Sequence, residues 1–506
     1  MHLSHYLTQI CTLLFTTKGN RVSGVAAFLA IFAVISLFSF MAVHPASAQQ
    51  QAEPGSNVTE TRILRGAVLF DGNGSPSVSN SVVVITGGKI ACAGSQTDCT
   101  IPDGAEVTDI SGKYITPGLI DVHVHFFQTG FFDARPDAMD LNATYPFPEV
   151  VAYQQLNPER YYNSYLCSGI TGVYDVGGMS WSVGLQASAE QNPDAPHVAA
   201  SGPLITPVPG APFDLPSDKV LVPLNTAEDG IKTVQYMSAL GSTGIKFWTI
   251  LADDEAYMER LEATAEEIRR QGNQMIAHAT TLSQAKAALR NGTKLLVHSV
   301  SDTEVDDEFI ALALENGTIY NPTLIVSSGY MLAYRAAAGI EPLTMADPNG
   351  CVDLKTRELL ESASQFAKHP RLTEAFMERL RNFNPVEDRV RSTDMLNLMK
   401  IHEAGIPIAV GTDAGNPGTL HGISIYDEME AMQKAGLTPD ELIVMATRNG
   451  AMAMQRLHDF GTVEAGKYAN LIVLDIDPSL DIANMRSITH VMLKGVMKSV
   501  DAYSAR

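Results

Sequence analysis

The chain is poor in cysteine and in basic residues. It has five cysteines in 506 residues, and no two of them are spaced as a CxxC pair. A disulfide-dense scaffold and a thiolate zinc knuckle are therefore excluded. Lysine and arginine number 35 against 56 aspartates and glutamates, which gives a formal net charge of −21. Because phosphate contacts need clustered basic side chains, this balance argues against nucleic acid as a partner and against docking on anionic lipid.

Long apolar runs are absent after the first fifty residues, but one lies near the amino terminus. Lys18 and Arg21 precede an uncharged stretch over residues 25–43, and Ala46-Ser47-Ala48 follows it. A basic flank, an apolar stretch and a small-x-small site are typical of a secretory signal peptide. We predict a signal peptide over residues 1–48, a linker over 49–60 and an exported protein, periplasmic or secreted. The stretch is also long enough to span a bilayer, so an uncleaved membrane anchor is the competing interpretation.

An exported chain can form disulfide bonds. Cys92 and Cys99 are close enough in sequence to close a small loop between two strand-like runs, and both a bridge and two free thiols stay open for them. Cys167 and Cys351 have no such neighbour, so we expect them to be unpaired core residues.

Both ends of the remaining chain are rich in short β-type runs, while the middle alternates between strand-like and helix-like segments. Two β-rich ends can join only if the segment between them closes on itself. We therefore predict an α/β fold in which a (β/α)8 TIM barrel over residues 118–460 carries a small discontinuous β-sandwich domain built from residues 61–117 and 461–502. The predicted barrel strands are residues 118–124, 172–176, 197–201, 244–249, 274–279, 294–299, 319–324 and 407–412, and helices are predicted at 254–271, 281–291, 302–315, 373–383 and 388–403.

Residues able to bind metal ions fall at or near the carboxyl ends of these strands. They are His123, His125, Lys246, His278, His298 and Asp413. His123 and His125 lie two apart on one strand and so point to the same side. Lys246 lies inside an apolar strand, where a lysine is costly to bury unless it is paired or modified. Because the chemistry of such barrels sits at the carboxyl ends of the strands, these residues predict a metal centre.

In these motifs the sequence resembles the metal-dependent amidohydrolase superfamily. The resemblance rests on residues 115–125 (ITPGLIDVHVH), on the fourth-strand lysine and the two single histidines, on residues 411–415 (GTDAG) and on the tail 461–475. It covers nearly the whole chain after the amino-terminal segment. Residues 297–300, 321–324 and 416–422 make it most similar to the imidazolonepropionase-like and prolidase-like branch, many of whose members are exported.

The resemblance implies a centre of two divalent metal ions. It implies that His123, His125 and Asp413 bind the first ion and that His278 and His298 bind the second. Lys246, carboxylated by CO2, would bridge the two ions as a carbamate. Zinc suits such mixed imidazole and oxygen ligands, with manganese and iron as alternatives.

The activity that follows is cleavage of a carbon–nitrogen bond of a small-molecule substrate, in an amide, a peptide or a lactam. In the mechanism that the resemblance implies, a hydroxide bridging the two ions attacks the carbonyl, and Asp413 carries its proton to the leaving nitrogen. His421 and Tyr174 are candidate substrate contacts, although a solvent-exposed loop histidine explains His421 equally well. Barrels of this kind often form homo-oligomers, but no segment of the sequence shows one.

Three other functions stay open. A phosphotriesterase or esterase could use the same binuclear site. A mononuclear deaminase is disfavoured by Lys246 and by Thr281, since deaminases tend to have a glutamate at that position, three residues after His278. A non-catalytic binding relative usually lacks some of the metal ligands, and none of them is missing from this sequence.

Overall fold

The computed structural model describes residues 61–208 and 212–505. They fall in the second of two units of the chain, Thr59–Arg506. The predicted signal peptide and linker lie outside the described residues. Among the helices described, none is long and apolar enough to cross a membrane.

Strands dominate the two ends of the described chain, and helices alternate with strands between them. The strands are β1 Thr61–Arg65, β2 Val68–Leu69, β3 Ser81–Thr86, β4 Lys89–Ser95, β5 Glu106–Asp109, β6 Tyr114–Pro117, β7 Leu119–Val124, β8 Ile170–Asp175, β9 His197–Ala200, β10 Leu204–Thr206, β11 Leu221–Pro223, β12 Gly244–Phe247, β13 Gln274–His278, β14 Leu295–Val297, β15 Ile319–Asn321, β16 Leu471–Leu474, β17 Ile488–Leu493 and β18 Val496–Ser499. The α-helices are α1 Phe147–Leu156, α2 Glu159–Cys167, α3 Trp181–Gln191, α4 Ala227–Leu240, α5 Glu255–Arg270, α6 Leu282–Arg290, α7 Asp307–Asn316, α8 Val326–Ala337, α9 Leu354–Glu361, α10 Glu374–Asn382, α11 Ser392–Glu403, α12 Ser424–Ala435, α13 Pro439–Ala446 and α14 Arg448–Ala453.

The first and last strands of the described residues meet in one sheet. Its five strands run in the order β18-β17-β16-β6-β2, so β6 from the first part pairs with β16 from the last part, with Ile115 opposite Val473. A second sheet of four strands, β4-β3-β1-β5, comes from the first part alone. The two sheets share one cluster of buried apolar side chains, which includes Leu64, Leu471 and Met492.

The central strands are parallel, as the alternation of strands and helices predicts. One ladder joins β7, β8 and β9, and another runs β11-β10-β12-β13-β14-β15. The backbone N–H of Thr243 donates to the Ala200 carbonyl at 2.9 Å and so links β9 to the start of β12. The first seven predicted strands thus overlap β7, β8, β9, β12, β13, β14 and β15.

The eighth predicted strand, residues 407–412, is not a continuous strand. It makes only single parallel bridges, Tyr320 with Ile408 and, just beyond its end, Val124 with Ala414. The reason is that side chains take several of its carbonyl groups. Asn449 Nδ2 donates to the Ile408 carbonyl at 2.7 Å, and Asn321 Nδ2 donates to the carbonyls of residues 409 and 411.

Side-chain caps mark the start of several helices. Asp254, Thr281, Asp306 and Thr373 each accept a hydrogen bond from a backbone N–H in the first turn of the helix that follows. Because Asp306 caps α7, this helix begins at residue 307, later than the start of the predicted segment 302–315. Helix α11 begins at Ser392 rather than at the predicted residue 388.

Both cysteine pairs of the described chain are disulfide-bonded. Cys92 bonds Cys99 seven residues away, which decides the question that the sequence left open. Cys167 bonds Cys351 across 184 residues, so the prediction that these two are unpaired is wrong. The fold brings the end of α2 against the segment before α9, a proximity that spacing along the chain cannot reveal.

Candidate metal centre

The six predicted ligands lie together in one cavity at the carboxyl ends of the central strands. The cavity has a volume of about 440 Å³. His123, His125, Lys246, His278, His298 and Asp413 all line it. The prediction that these residues share one site therefore agrees with the geometry, while their roles as ligands stay a prediction.

Asp413 is at the middle of the cluster. Its Oδ1 atom lies 2.8 Å from His125 Nε2 and 3.2 Å from His123 Nε2. The ring centroid of His298 lies 5.0 Å from that of His123 and 4.4 Å from that of His278. One potential ligand atom each of His123, His298 and Asp413 lies within 4.8 Å of the others. Residues predicted to bind different ions are therefore close enough to share a binuclear centre.

The backbone is unusual at two predicted ligands and at one neighbour that lines the same cavity. His298, Thr323 and Asp413 have positive φ angles of 76°, 47° and 61°. Residues other than glycine rarely adopt this conformation, and the strain is found mainly where function requires a particular side-chain direction. The sequence contains no signal for these angles.

Asn321 fixes the tautomer of His123. Its Nδ2 atom donates to the carbonyls of Ala409 and Gly411, so its Oδ1 atom must be the acceptor that faces His123 Nδ1 at 3.1 Å. His123 therefore carries its proton on Nδ1, and the lone pair of Nε2 points into the cavity. Outer partners of this kind orient metal-binding histidines.

His125 is oriented by a backbone carbonyl. Its Nδ1 atom lies 2.5 Å from the Gly177 carbonyl oxygen, which can only accept, so Nε2 again keeps its lone pair. Asp175 Oδ1 in turn accepts from the Gly177 N–H at 3.1 Å. Asp175 thus supports His125 through Gly177 rather than by direct contact.

His298 is held through the segment that follows β15. Its Nδ1 atom lies 2.7 Å from Thr323 Oγ1. The next two backbone N–H groups, of Leu324 and Ile325, donate to the two carboxylate oxygens of Glu428 at 2.8 and 3.1 Å. Glu428, on α12, therefore anchors the loop that positions His298.

Burial keeps three of the imidazoles neutral. It lowers the pKa of His123 and of His278 well below the ordinary value, and that of His298 to about 4. Burial alone would raise the pKa of Asp413, but the imidazoles of His123 and His125 beside it outweigh burial and hold that pKa well below its usual range. The cluster thus offers neutral nitrogen donors beside an ionised carboxylate, which is what a divalent cation needs.

Lys246 is the member of the cluster whose burial is hardest to explain as an ordinary charged side chain. Its side chain is only 1% exposed, and no described residue forms a hydrogen bond or an ion pair with its ammonium group. Burial lowers the pKa of Lys246 to about 7. A buried, unpaired lysine among neutral imidazoles is unfavourable as a cation, whereas a carbamate on it would add an oxygen ligand. The donor set therefore fits the predicted ions.

The two predicted substrate contacts lie elsewhere. Tyr174 is fully buried, and its hydroxyl meets Gln274 and Gly244, the first residues of β13 and β12. The side chain thus leans toward the opposite ends of the strands. His421 is also buried, and its two ring nitrogens contact the Tyr165 hydroxyl at 2.5 Å and the Gln128 carbonyl at 3.0 Å. Neither residue lines the cavity.

The walls of the cavity consist of side chains other than the predicted ligands. One wall is apolar and aromatic, and it includes Phe127, Leu204, Phe213, Leu221 and Trp248. The other is polar, and it includes Arg135, Tyr330, Arg391 and Asn416. Asn416 stands in a stretch already noted for the resemblance, three residues after Asp413, and this is the one signal that could have pointed to it.

A parallel α/β fold with these donors at its strand ends could hold a metal ion, and comparisons with known proteins identify the family. The model of the amidohydrolase family matches residues 114–498. The chain is 26% identical to the imidazolonepropionase of Caulobacter sp. (strain K31) over 415 residues, which cover 79% of this chain and 88% of that protein. It is 32% identical to the imidazolonepropionase of Geobacillus kaustophilus over 106 residues, only 20% of this chain and 25% of that one.

A solved structure is similar in fold. The crystal structure of a Xaa-Pro dipeptidase with bound methionine superposes with a TM-score of 0.64 at 22% identity, over 87% of this chain and all of that one. The family match decides the assignment: the protein belongs to the amidohydrolase family. It is an enzyme of the hydrolase class.

Proposed function

We propose that the protein is a metal-dependent hydrolase that cleaves an amide-type carbon–nitrogen bond of a small molecule. In this proposal two divalent ions, zinc by preference, are held by His123, His125, His278, His298 and Asp413, with carboxylated Lys246 between them. The observation that carries it is the convergence of these six side chains on one cavity, with Lys246 buried and unpaired. A phosphotriesterase or esterase would need the same ligands, so only the substrate that is hydrolysed distinguishes these activities from that of an amide hydrolase.

The proposal includes a closed eight-stranded barrel. Residues 407–414 support closure because Ala409 N donates to the Tyr320 carbonyl at 2.9 Å and Val122 N donates to the Val410 carbonyl at 3.1 Å. Asp121 adds two bonds, from Thr412 N at 3.0 Å and from Thr412 Oγ1 at 2.7 Å. We also propose that the two end sheets, with their shared apolar cluster, form the predicted β-sandwich.

The ions, when bound, would polarise the substrate carbonyl and lower the pKa of water. Residues of the chain itself transfer the proton and orient the predicted ligands. Asp413 is held ionised, so it can accept a proton from the attacking water and return it to the leaving nitrogen. Asn321 and Gly177 keep the lone pairs of His123 and His125 directed into the cavity.

The cavity walls and the relatives suggest the kind of substrate. The aromatic and aliphatic wall fits an apolar substituent beside the scissile bond. The imidazolonepropionases are named for an imidazolone, which has a lactam-like ring, and the Xaa-Pro dipeptidase is named for a dipeptide. We therefore propose small amides, dipeptides, N-acyl amino acids or lactams with an apolar group.

Export is part of the proposal. It rests on the sequence of residues 1–48 and is supported by the two disulfides, because disulfides persist in oxidising compartments such as the periplasm.

A substrate screen tests the function. The purified chain without residues 1–48 is loaded with zinc or manganese, its metal content is measured, and it is assayed on matched dipeptides, N-acyl amino acids, lactams and phosphotriesters. We expect close to two ions per chain and turnover of at least one amide class. Hydrolysis of phosphotriesters alone would overturn the amide proposal, and a fully folded chain that binds no divalent ion would overturn the metal-dependent mechanism.

A further inference from the structure

A hydrogen-bonded chain runs from the polar wall of the cavity to Asp413. Asn416 Nδ2 donates to Asp413 Oδ1 at 2.7 Å, and it also lies 3.3 Å from the Asp413 carbonyl oxygen. On its other side, Asn416 Oδ1 accepts from the Tyr330 hydroxyl at 2.8 Å and from the Arg135 guanidinium. All four residues line the cavity.

The orientation of the Asn416 amide follows from its partners. An arginine can only donate hydrogen bonds, so the amide atom that faces Arg135 must be the oxygen. The NH2 group is then left facing Asp413, whose ionised carboxylate can only accept. Turning the amide over would set donor against donor and acceptor against acceptor, so the surroundings allow one orientation.

Arg135 is itself firmly held. Its Nε and one terminal nitrogen donate to the two carboxylate oxygens of Asp137 at 2.8 and 2.7 Å, in a two-bond fork. The guanidinium carbon also lies 5.9 Å from the ring centroid of Phe213 and 5.5 Å from that of Tyr330. Arg135 belongs to the loop after β7 and Tyr330 to α8, so two distant parts of the chain meet at Asn416.

We propose that Asn416 is a positioning residue that fixes the rotation of the Asp413 carboxylate, and that Arg135 and Tyr330 lock Asn416 for this task. The inference rests on the proposed function, since it concerns the direction in which Asp413 presents its oxygens. Asp413 already has a positive φ angle, and a short side chain on such a backbone needs an outside contact to select one rotamer. No other side-chain amide among the described residues donates to Asp413.

A purely space-filling role for Asn416 predicts different results from a hydrogen-bonding role. The isosteric Asn416→Asp keeps the shape of the side chain but replaces the donor with a carboxylate, 2.7 Å from a carboxylate oxygen of Asp413. Asn416→Ala removes both the shape and the donor. If Asn416 acts by donating, the isosteric variant is impaired at least as much as the alanine variant.

Tyr330→Phe supplies a milder test with a matched control. It removes one hydroxyl from Asn416 and keeps the ring beside Arg135. Tyr334→Phe, one turn further along α8, removes a hydroxyl that donates to the Ala138 carbonyl at 2.9 Å and does not contact Asn416. The comparison of Tyr330→Phe with Tyr334→Phe also tests whether Asn416 positions Asp413 if the Asn416 variants fail to fold.

The experiment measures thermal stability, zinc affinity of the metal-free chain, and kcat and KM on an amide found in the screen. We expect Asn416→Asp to lose ~10–100-fold in zinc affinity or in kcat at saturating zinc, as supporting partners of metal ligands do, with KM within ~3-fold. Tyr330→Phe should lose ~3–10-fold in the same quantity, with Tm near wild type, while Tyr334→Phe should stay within ~2-fold of wild type.

The inference is overturned if Asn416→Asp and Tyr330→Phe both match wild type in zinc affinity and kcat, or if Tyr334→Phe is impaired as much as Tyr330→Phe. Because a zinc titration needs no substrate, zinc affinity tests the inference even if no substrate has been found. Failure of the proposed function would look different, because the wild-type chain itself would then bind no zinc or hydrolyse no amide.

Discussion

His123 Nδ1 lies 3.1 Å from Oδ1 of Asn321, a residue 198 positions further along the chain. The same asparagine donates to two carbonyls of residues 407–412, so one side chain joins β15, the first histidine and the segment that takes the place of an eighth strand. The direction of a predicted metal ligand is thus tied to the backbone of residues 407–412.

Asn321→Asp separates these two tasks. The carboxylate still accepts from His123 but can no longer donate to Ala409 and Gly411. We expect a loss of stability of roughly 1–3 kcal/mol, because two buried carbonyls lose their donor. Asn321→Ala should in addition weaken zinc binding ~10–100-fold, because the tautomer of His123 is then no longer fixed. Unfolding by urea and zinc titration check both values, and equal zinc affinity in the two variants would contradict the role assigned to Asn321 Oδ1.

Lys246→Ala tests the proposed carbamate. We expect the variant to lose at least one bound ion and to fall ~100-fold or more in kcat, since the bridging oxygens are gone. A short carboxylic acid such as propionate can enter the space left by the lysine, so added propionate should restore part of the metal content and activity. Metal analysis and rate measurements with and without propionate check this.

Lys294→Ala is the control for Lys246→Ala, because Lys294 is exposed and only donates to the Asn316 carbonyl. It should behave like wild type. A Lys246→Ala enzyme with two ions and a normal rate would show that no carbamate is needed.

The two disulfides should contribute unequally to stability. In the chain-entropy description the stabilisation grows with the length of the loop that is closed, which is 184 residues for Cys167–Cys351 and seven for Cys92–Cys99. We expect about 5 kcal/mol for the first and about 2 kcal/mol for the second. Denaturant unfolding of Cys167→Ser with Cys351→Ser, beside Cys92→Ser with Cys99→Ser, measures the difference. A larger effect from the short loop would argue against the entropic account.

Asp133 should make the folded state more stable in acid. Burial raises its pKa from 3.8 to about 6, although the Thr129 hydroxyl donates to it. The folded chain therefore binds this proton more tightly than the unfolded chain. The contribution of the protonated group is complete below about pH 4 and is lost as the pH rises through 6, a change of about 3 kcal/mol.

Asp133→Asn cannot titrate, so its stability relative to wild type should rise by about 3 kcal/mol between pH 4 and pH 7. Unfolding curves at both pH values check this. Asp140→Asn is the matched control: hydrogen bonds from Asn142 lower the pKa of Asp140, so this variant should gain no stability toward neutral pH. A pH-independent difference between Asp133→Asn and wild type would refute the expectation.

Much of the site could be predicted because its residues break a strong local pattern. Histidines, an aspartate and a lysine stand out in strands that are otherwise apolar, and the parallel arrangement brings their ends together. The same reasoning failed for Tyr174, because a long side chain on a parallel strand can lean toward either end of the strand, and only its neighbours, Gln274 and Gly244, decide which.

Other features depend on how distant segments come to lie together. The pairing of Cys167 with Cys351, the contacts of Arg135 and Tyr330 with Asn416, and the side chains that replace the ladder at residues 407–412 all join positions that are far apart in sequence. The paths of the long loops determine these contacts, and no local pattern of residues encodes them.

The sheet shared by the two ends of the chain has a consequence for synthesis. The strand β7, which carries His123 and ends just before His125, follows directly after β6. β6 pairs on one side with β16, which begins only at Leu471. A nascent chain that stops before this residue leaves β6 with unpaired backbone groups beside the first metal-ligand motif. Residues 471–474 therefore complete the backbone pairing of the strand that leads to His123, so a chain cut before Leu471 would lack part of the support of the candidate site.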